Sequence, residues 1–310
     1  MEGYRPRPLP HRVHPRAATR PLQEGPSRSI TLAQGTRRDR SHTTQKLCLR
    51  QNQITAIDFP SGWASAPTLQ DLDLYDNLLK RISGLDDLVE LASLDLSFNK
   101  LKHIEGVSHL TRLRDLYFVQ NRIGKIDGLG ELPHLRNLEL AANRIRAIEN
   151  LDGVPNLEEL WLGKNKIAAV RNVGHLSRLR ILSLQANRIA SLDGLAAVPQ
   201  LEELYVSHNA LASLEGLQSN AALRVLDVSN NPVAKLDGLD AQAALEELWA
   251  SYCELDSFED VERELRGKQR LETVYFEGNP LQRRQPALYR NKVRLALPQV
   301  RQIDASKSAL

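Results

Sequence analysis

Nine asparagines, Asn52, Asn77, Asn99, Asn121, Asn143, Asn165, Asn187, Asn209 and Asn231, stand in one frame, the first gap being 25 residues and the next seven each 22. A further step of 22 lands on Cys253, and one of 26 reaches Asn279. Around each position the chain reads L-x-x-L-x-L-x-x-N-x-L/I-x-x-I/L. A unit this short cannot bury an apolar face alone, so successive units must stack and share one core. That single constraint excludes most compact folds and predicts an elongated coil of about eleven units.

The local geometry follows from the spacing. Leu160 and Leu162 are two residues apart and share one face of a strand, which sends Trp161, with Glu159, to the other face. Right-handed stacking of such units lines the inner curve with a parallel sheet. The residue between the leucines then points into the concavity. The asparagines supply donors and acceptors to the backbone of the turn that follows each strand. Farther on come "SGL", "EGV", "DGL", "ENL" and "RNV", where Gly or Asn suits a positive φ. Twenty-two residues leave no room for a full outer helix, so short 3₁₀ or helical turns are expected on the convex side. The fold class is therefore α/β, a leucine-rich-repeat solenoid with a parallel concave sheet.

The ends break the period. Residues 282–310 read as a C-terminal cap, with a helix around 287–297 that carries Tyr289, Val293 and Leu297 on one face and stops at Pro298. The solenoid occupies 46–281. Residues 1–45 hold nine Arg, no Lys and three acids, which leaves the rest of the chain mildly acidic. With six Pro in the first 40 residues, this segment reads as a disordered basic tail. It lacks the ring or helical patterning of a nucleic-acid contact, and a solvated leader is the simpler reading. Ile30 and Leu32 are candidates for an improvised N-terminal cap, and Trp63 for packing on the outer wall.

Eleven positions lie four residues before each Asn-equivalent: Cys48, Asp73, Asp95, Tyr117, Glu139, Trp161, Ser183, Tyr205, Asp227, Trp249 and Tyr275. Five are aromatic in a chain with only 15 aromatic residues, four are acidic, and none is Lys or Arg. Strand propensity explains some of the rings; it does not explain the absence of bases. The outward positions two residues earlier add Asp71, Asp115, Glu159, Glu203 and Glu247. Tyr and Trp are common interface anchors, and acidic surroundings steer basic partners. The concavity is thus a candidate protein-binding face, unsuited to nucleic acid.

Other chemistry is not supported. The eight His form no H-E-x-x-H pattern and no phosphate loop is present, so no catalytic residue, metal or cofactor is expected. Cys48 and Cys253 lie about nine coils apart, roughly 43 Å at one strand spacing per coil, and cannot bridge. No apolar stretch approaches membrane-spanning length and no signal-peptide core is seen, which points to nucleus and cytoplasm.

"LCLRQNQI", "LQDLDLYDN", "LDLSFNKLKHIEGVSHLTRL", "WLGKNKI", "LSLQANRI", "LYVSHNAL" and "LETVYFEGNPLQ…LALPQVRQIDA" together resemble the leucine-rich regulatory subunits of protein phosphatase 1, of the Sds-twenty-two type, over about Gln45 to Ala305. The resemblance implies a non-catalytic scaffold that binds the phosphatase catalytic subunit across the concave face. Carried over by repeat, the contacts fall on Asp95, Tyr117, Glu139, Trp161, Asp227, Glu247, Trp249 and Tyr275; Tyr205 joins them as a member of the same column. It also implies a chaperone-like hold on a metal-poor phosphatase and a shared complex with inhibitor-3. Tyr117 and Trp161 stand where relatives often carry Phe, the basic tail departs from the family's acidic start, and no R-V-x-F docking motif is present.

Overall fold

A computed structural model describes residues 28–31, 45–58, 66–130 and 132–307. Most of the basic tail, with Leu32 and Trp63, lies outside the described residues.

Alternating burial on three-residue strands, one per coil, builds the molecule. After β1 (Arg28–Thr31), β2 (Lys46–Cys48) and β3 (Ile54–Asp58) come β4 (Asp71–Asp73), β5 (Ser93–Asp95), β6 (Asp115–Tyr117), β7 (Asn137–Glu139) and β8 (Glu159–Trp161). The series continues with β9 (Ile181–Ser183), β10 (Glu203–Tyr205), β11 (Val225–Asp227), β12 (Glu247–Trp249) and β13 (Thr273–Tyr275). From β4 to β13 the central residue of each strand is buried. β2 and β4 to β13 pair in parallel with neighbours in order, each residue facing its equivalent one coil away. The expected parallel sheet is thus formed, with the leucines directed into one continuous aliphatic core.

Each ladder asparagine closes a turn. Asn143 is buried; its Nδ2 donates to Phe118 O (2.8 Å) in the preceding coil and Leu140 O (3.1 Å) in its own, and its Oδ1 accepts from Ile123 N (3.0 Å). Cys253 holds the same position with a weaker donor, Sγ lying 3.4 Å from Val228 O. Burial pushes its thiol pKa up to about 11, so it is inert. The residue before each ladder position adopts a left-handed conformation whatever its type: Phe98, Gln120, Ala142, Lys164, His208 and Tyr252 all have φ near 55°.

The second turn behaves as the sequence implies in most coils. Gly84, Gly106, Gly128, Asn150, Asn172, Gly216 and Gly238 have positive φ. Gly194 differs in its reason: it sits in a 3₁₀ helix (Asp193–Ala197), where a Cβ would come within 1.8 Å of Val170 O. A second 3₁₀ turn spans Ala66–Thr68, and most other coils turn through isolated i→i+3 bonds such as Leu88 N to Leu85 O and Leu110 N to Val107 O. The latter turns are too short to count as helices, a consequence of the 22-residue unit.

The ends are closed differently. β1 pairs in parallel with β3, so residues 28–31 lie beside the first turn rather than at the edge of the main sheet. At the other end α1 (Phe258–Leu265), capped by Ser257 Oγ accepting from Asp260 N, replaces a turn; α2 (Pro280–Arg283) and α3 (Tyr289–Ala296) follow. Tyr289, Val293 and Leu297 are buried on the last coil, the face anticipated from their spacing. β14 (Gln302–Ile303) extends the sheet, and β15 (Ser306–Lys307) turns back antiparallel to it.

Candidate functional site

The eleven slot residues form one register-matched column. β pairing aligns Cys48 with Asp73, Asp95, Tyr117, Glu139 and Trp161, and then with Ser183, Tyr205, Asp227, Trp249 and Tyr275. All nine residues singled out by sequence except Glu247 lie in this column; Glu247 is two residues earlier on the same strand face as Trp249.

Toward the C-terminal half the rings make a continuous ridge. Trp161 and Tyr205 stack with centroids 6.1 Å apart, Tyr205 meets Trp249 edge-on at 6.2 Å, and Trp249 meets Tyr275 edge-on at 5.8 Å. Trp161, Tyr205 and Trp249 lie on alternate strands, so their rings lean together across the small residue between. This corrects one sequence expectation. Tyr205 is only 6% exposed and Asp227 only 4%, so neither is displayed; Ser183 is buried as well. Trp161, Trp249, Tyr275 and Tyr117 remain half-buried and present ring surface.

A brace holds each ring. Trp161 Nε1 donates to Glu159 Oε2 (3.3 Å), Tyr205 Oη to Glu203 Oε2 (2.7 Å) and Trp249 Nε1 to Glu247 Oε2 (3.0 Å). The motif E-L-[WY] recurs every 44 residues, at 159–161, 203–205 and 247–249, a signal the 22-residue reading overlooked. Tyr275 Oη accepts from Gln302 Nε2 (2.6 Å), which ties the ridge to the cap. Rings fixed before a partner arrives lose less rotamer freedom on binding.

The middle of the column is acidic and partly desolvated. Burial, with the charges of Asp95, Glu159 and Asp115, raises Glu139 to about 7. Burial likewise raises Asp95, and it raises Asp227 against hydrogen bonds from Ser207, Ser229 and Gln185. The Tyr117 phenol is pushed up by burial and by Asp115 and Glu139. At the N-terminal end a base absent from the slot list intrudes. Arg50 bonds Asp73, lies 3.3 Å from Asp95 Oδ2, and places its guanidinium 4.8 Å from the Tyr75 ring centroid. The Asp95 carboxylate is therefore already engaged by a base, and beyond it the acidic face continues through Glu139, Glu159, Glu203 and Glu247.

A possible cation cage is also filled. Asp237, Asp260 and Glu264 bring carboxylate oxygens together, but Arg263 pairs with all three. Among the described residues no helix is long and apolar enough to cross a membrane.

Family models for leucine-rich repeats match residues 42–101, 111–153, 155–197 and 199–241, more than half of the chain. This chain belongs to the leucine-rich-repeat family. Within it, a 48-residue stretch is 69% identical to protein phosphatase 1 regulatory subunit SDS22 of Schizosaccharomyces pombe, covering 16% of this chain and 14% of that protein. Another, of 43 residues, is 63% identical to protein phosphatase 1 regulatory subunit 7 of Bos taurus, covering 14% of this chain and 11% of that one. The matched segments thus span about a seventh or less of these curated relatives. Among solved structures, a Leptospira interrogans leucine-rich-repeat protein superimposes with a TM-score of 0.63 at 25% identity, over 84% of this chain and 72% of that one.

Proposed function

We propose that this leucine-rich-repeat chain is a non-catalytic regulatory scaffold that docks a protein phosphatase 1 catalytic subunit on its concave face. The observation that carries the reading is the braced ridge of Trp161, Tyr205, Trp249 and Tyr275 beside the carboxylates of Asp115, Glu139, Glu159, Glu203 and Glu247. Such a face fits a folded partner with a basic and partly apolar surface. The regulatory-subunit names of the relatives supply the identity of that partner. Trp161, Trp249 and Tyr275 are the anchors; Tyr117, Glu139 and Glu247 complete the contact; Tyr205 and Asp227 act from beneath by supporting the ridge, and Asp95, paired with Arg50, belongs to the N-terminal end of the same face. A shared complex with inhibitor-3, a hold on the metal-poor phosphatase, and residence in nucleus and cytoplasm belong to the same proposal.

The test is co-purification with the catalytic subunit. Trp161→Ala and Trp249→Ala each weaken binding by about 2 kcal/mol, as buried aromatic anchors do, while far-ultraviolet circular dichroism stays unchanged. Undiminished capture of the phosphatase by the double variant refutes the reading. A stoichiometric partner of another kind in unbiased affinity purification would reassign the same face.

A further inference from the structure

A row of like charges runs along one edge of the coil. The residue after the ladder position is Lys100, Arg122, Arg144, Lys166 and Arg188 in five consecutive units, and Ala210 and Pro232 end the series. Their backbone N–H groups make the same bond in every coil, to Leu79 O, Leu101 O, Ile123 O, Ile145 O and Ile167 O, each at 2.8 Å. The five positions are therefore structurally equivalent and stacked one strand spacing apart. Arg122, Arg144 and Arg188 are exposed, and Lys100 and Lys166 half-buried. Among the described residues none of the five side chains has an ion pair or hydrogen bond.

The opposite edge shows how this chain treats charge when no ligand is involved. There Arg136, Glu158, Arg180, Glu202, Arg224 and Glu246 alternate at the same 22-residue interval. Arg180 forks onto Glu202 (2.8 and 2.7 Å) and Arg224 onto Glu246 (3.0 and 2.8 Å). Alternation satisfies each cation with its neighbour. Five stacked cations do the reverse: like charges in neighbouring coils repel, and among the described residues none of the five side chains has an ionic partner.

We propose that this row is a docking ledge for an extended acidic polypeptide segment, separate from the concave face and independent of what that face binds. Four spacings of about 4.8 Å make the row about 19 Å long, the span of roughly six residues of extended chain. A thin strand of Asp and Glu meets all five cations at once. A nucleic-acid duplex is too broad: phosphates beyond the row would face the carboxylates of the concavity, which repel them. Among the described residues no ladder of rings accompanies the row to stack single-stranded bases.

The experiment measures fluorescence anisotropy of labelled octaglutamate, and of a single-stranded octadeoxynucleotide, with the full chain at low salt. Wild type binds octaglutamate, and added salt weakens the binding. Arg122→Ala/Arg144→Ala/Lys166→Ala weakens it about tenfold, with a melting temperature equal to or above wild type because repulsion is relieved. Arg122→Lys/Arg144→Lys, Arg136→Ala/Arg180→Ala and Trp161→Ala/Trp249→Ala all retain binding. The last variant separates this proposal from phosphatase docking, since it removes one and spares the other. No binding by wild type, equal loss in the triple and the Arg136→Ala/Arg180→Ala variants, or tighter binding of the oligonucleotide than of the peptide overturns it.

Discussion

Glu139 shows what a single carboxyl gains and loses by standing in the column. Burial and three neighbouring acids lift it from its usual 4.5 to about 7. Between those values the folded chain holds a proton that the unfolded chain has released, so stability declines as pH rises through the window and the penalty is complete above about 7. Glu139→Gln removes the penalty. Thermal melts should therefore show the variant gaining on wild type between pH 5 and pH 8, and a difference independent of pH would refute the assignment. A basic partner group stabilises the anion, so docking at neutral pH should also release a proton, which calorimetry in buffers of different ionisation enthalpy detects. The column membership of Glu139, Trp161 and Trp249 was legible from the two-residue spacing of the leucines. The occlusion of Tyr205 and Asp227 was not, because it depends on rings two strands apart leaning together, and a one-coil pattern carries no such information. Arg50 escaped notice because it stands two residues beyond the slot and reaches back across two strands.

At the scale of the element, the position of the asparagine turn is legible in the sequence and its full geometry is not. Its role followed from periodicity, since a buried turn needs partners. The left-handed residue before it did not, because Phe98, Lys164 and Tyr252 carry no positive-φ signature of their own; the surrounding ladder imposes the conformation. The consequence is measurable. Asn143→Ala keeps one partner on Phe118 O and Leu140 O, through Asn121 and Asn165, but strands the Ile123 N–H, whose only acceptor among the described residues is Asn143 Oδ1. Loss of a buried donor's partner costs about 1–3 kcal/mol, and urea denaturation should show that loss. Cys253→Asn tests the converse. It replaces the weak thiol donor with an amide of the kind used in the other coils, and should raise the urea midpoint.

For the whole molecule, stacking makes stability nearly a chain of neighbour terms, so the terminal coil sets how readily the solenoid frays. In interior coils the residue after the slot donates its N–H to the next strand, as Phe118 N does to Glu139 O and Ala250 N to Tyr275 O. Phe276 lacks an ordinary next coil. Its N–H and that of Glu277 are taken instead by Asp304 Oδ1, at 2.9 and 3.1 Å, from a residue aligned just past the last pairing. Tyr289 Oη donates to Asp304 Oδ2 (3.0 Å) and fixes the carboxylate against α3. The helix of the cap was legible because Tyr289, Val293 and Leu297 recur at helical spacing. The acceptor role of Asp304 was not, since one acid after a period ends has no pattern to announce it. Asp304→Ala leaves the buried Phe276 N–H, the part-buried Glu277 N–H and the Tyr289 phenol without their acceptor, a cost of roughly 3 kcal/mol. Native-state hydrogen exchange should place that cost locally: amides of the coils around β12, β13 and β14 lose protection first, while those of β6 to β8 keep theirs. If protection falls equally along the sheet, the coils open as one unit, and the cap governs global rather than terminal stability.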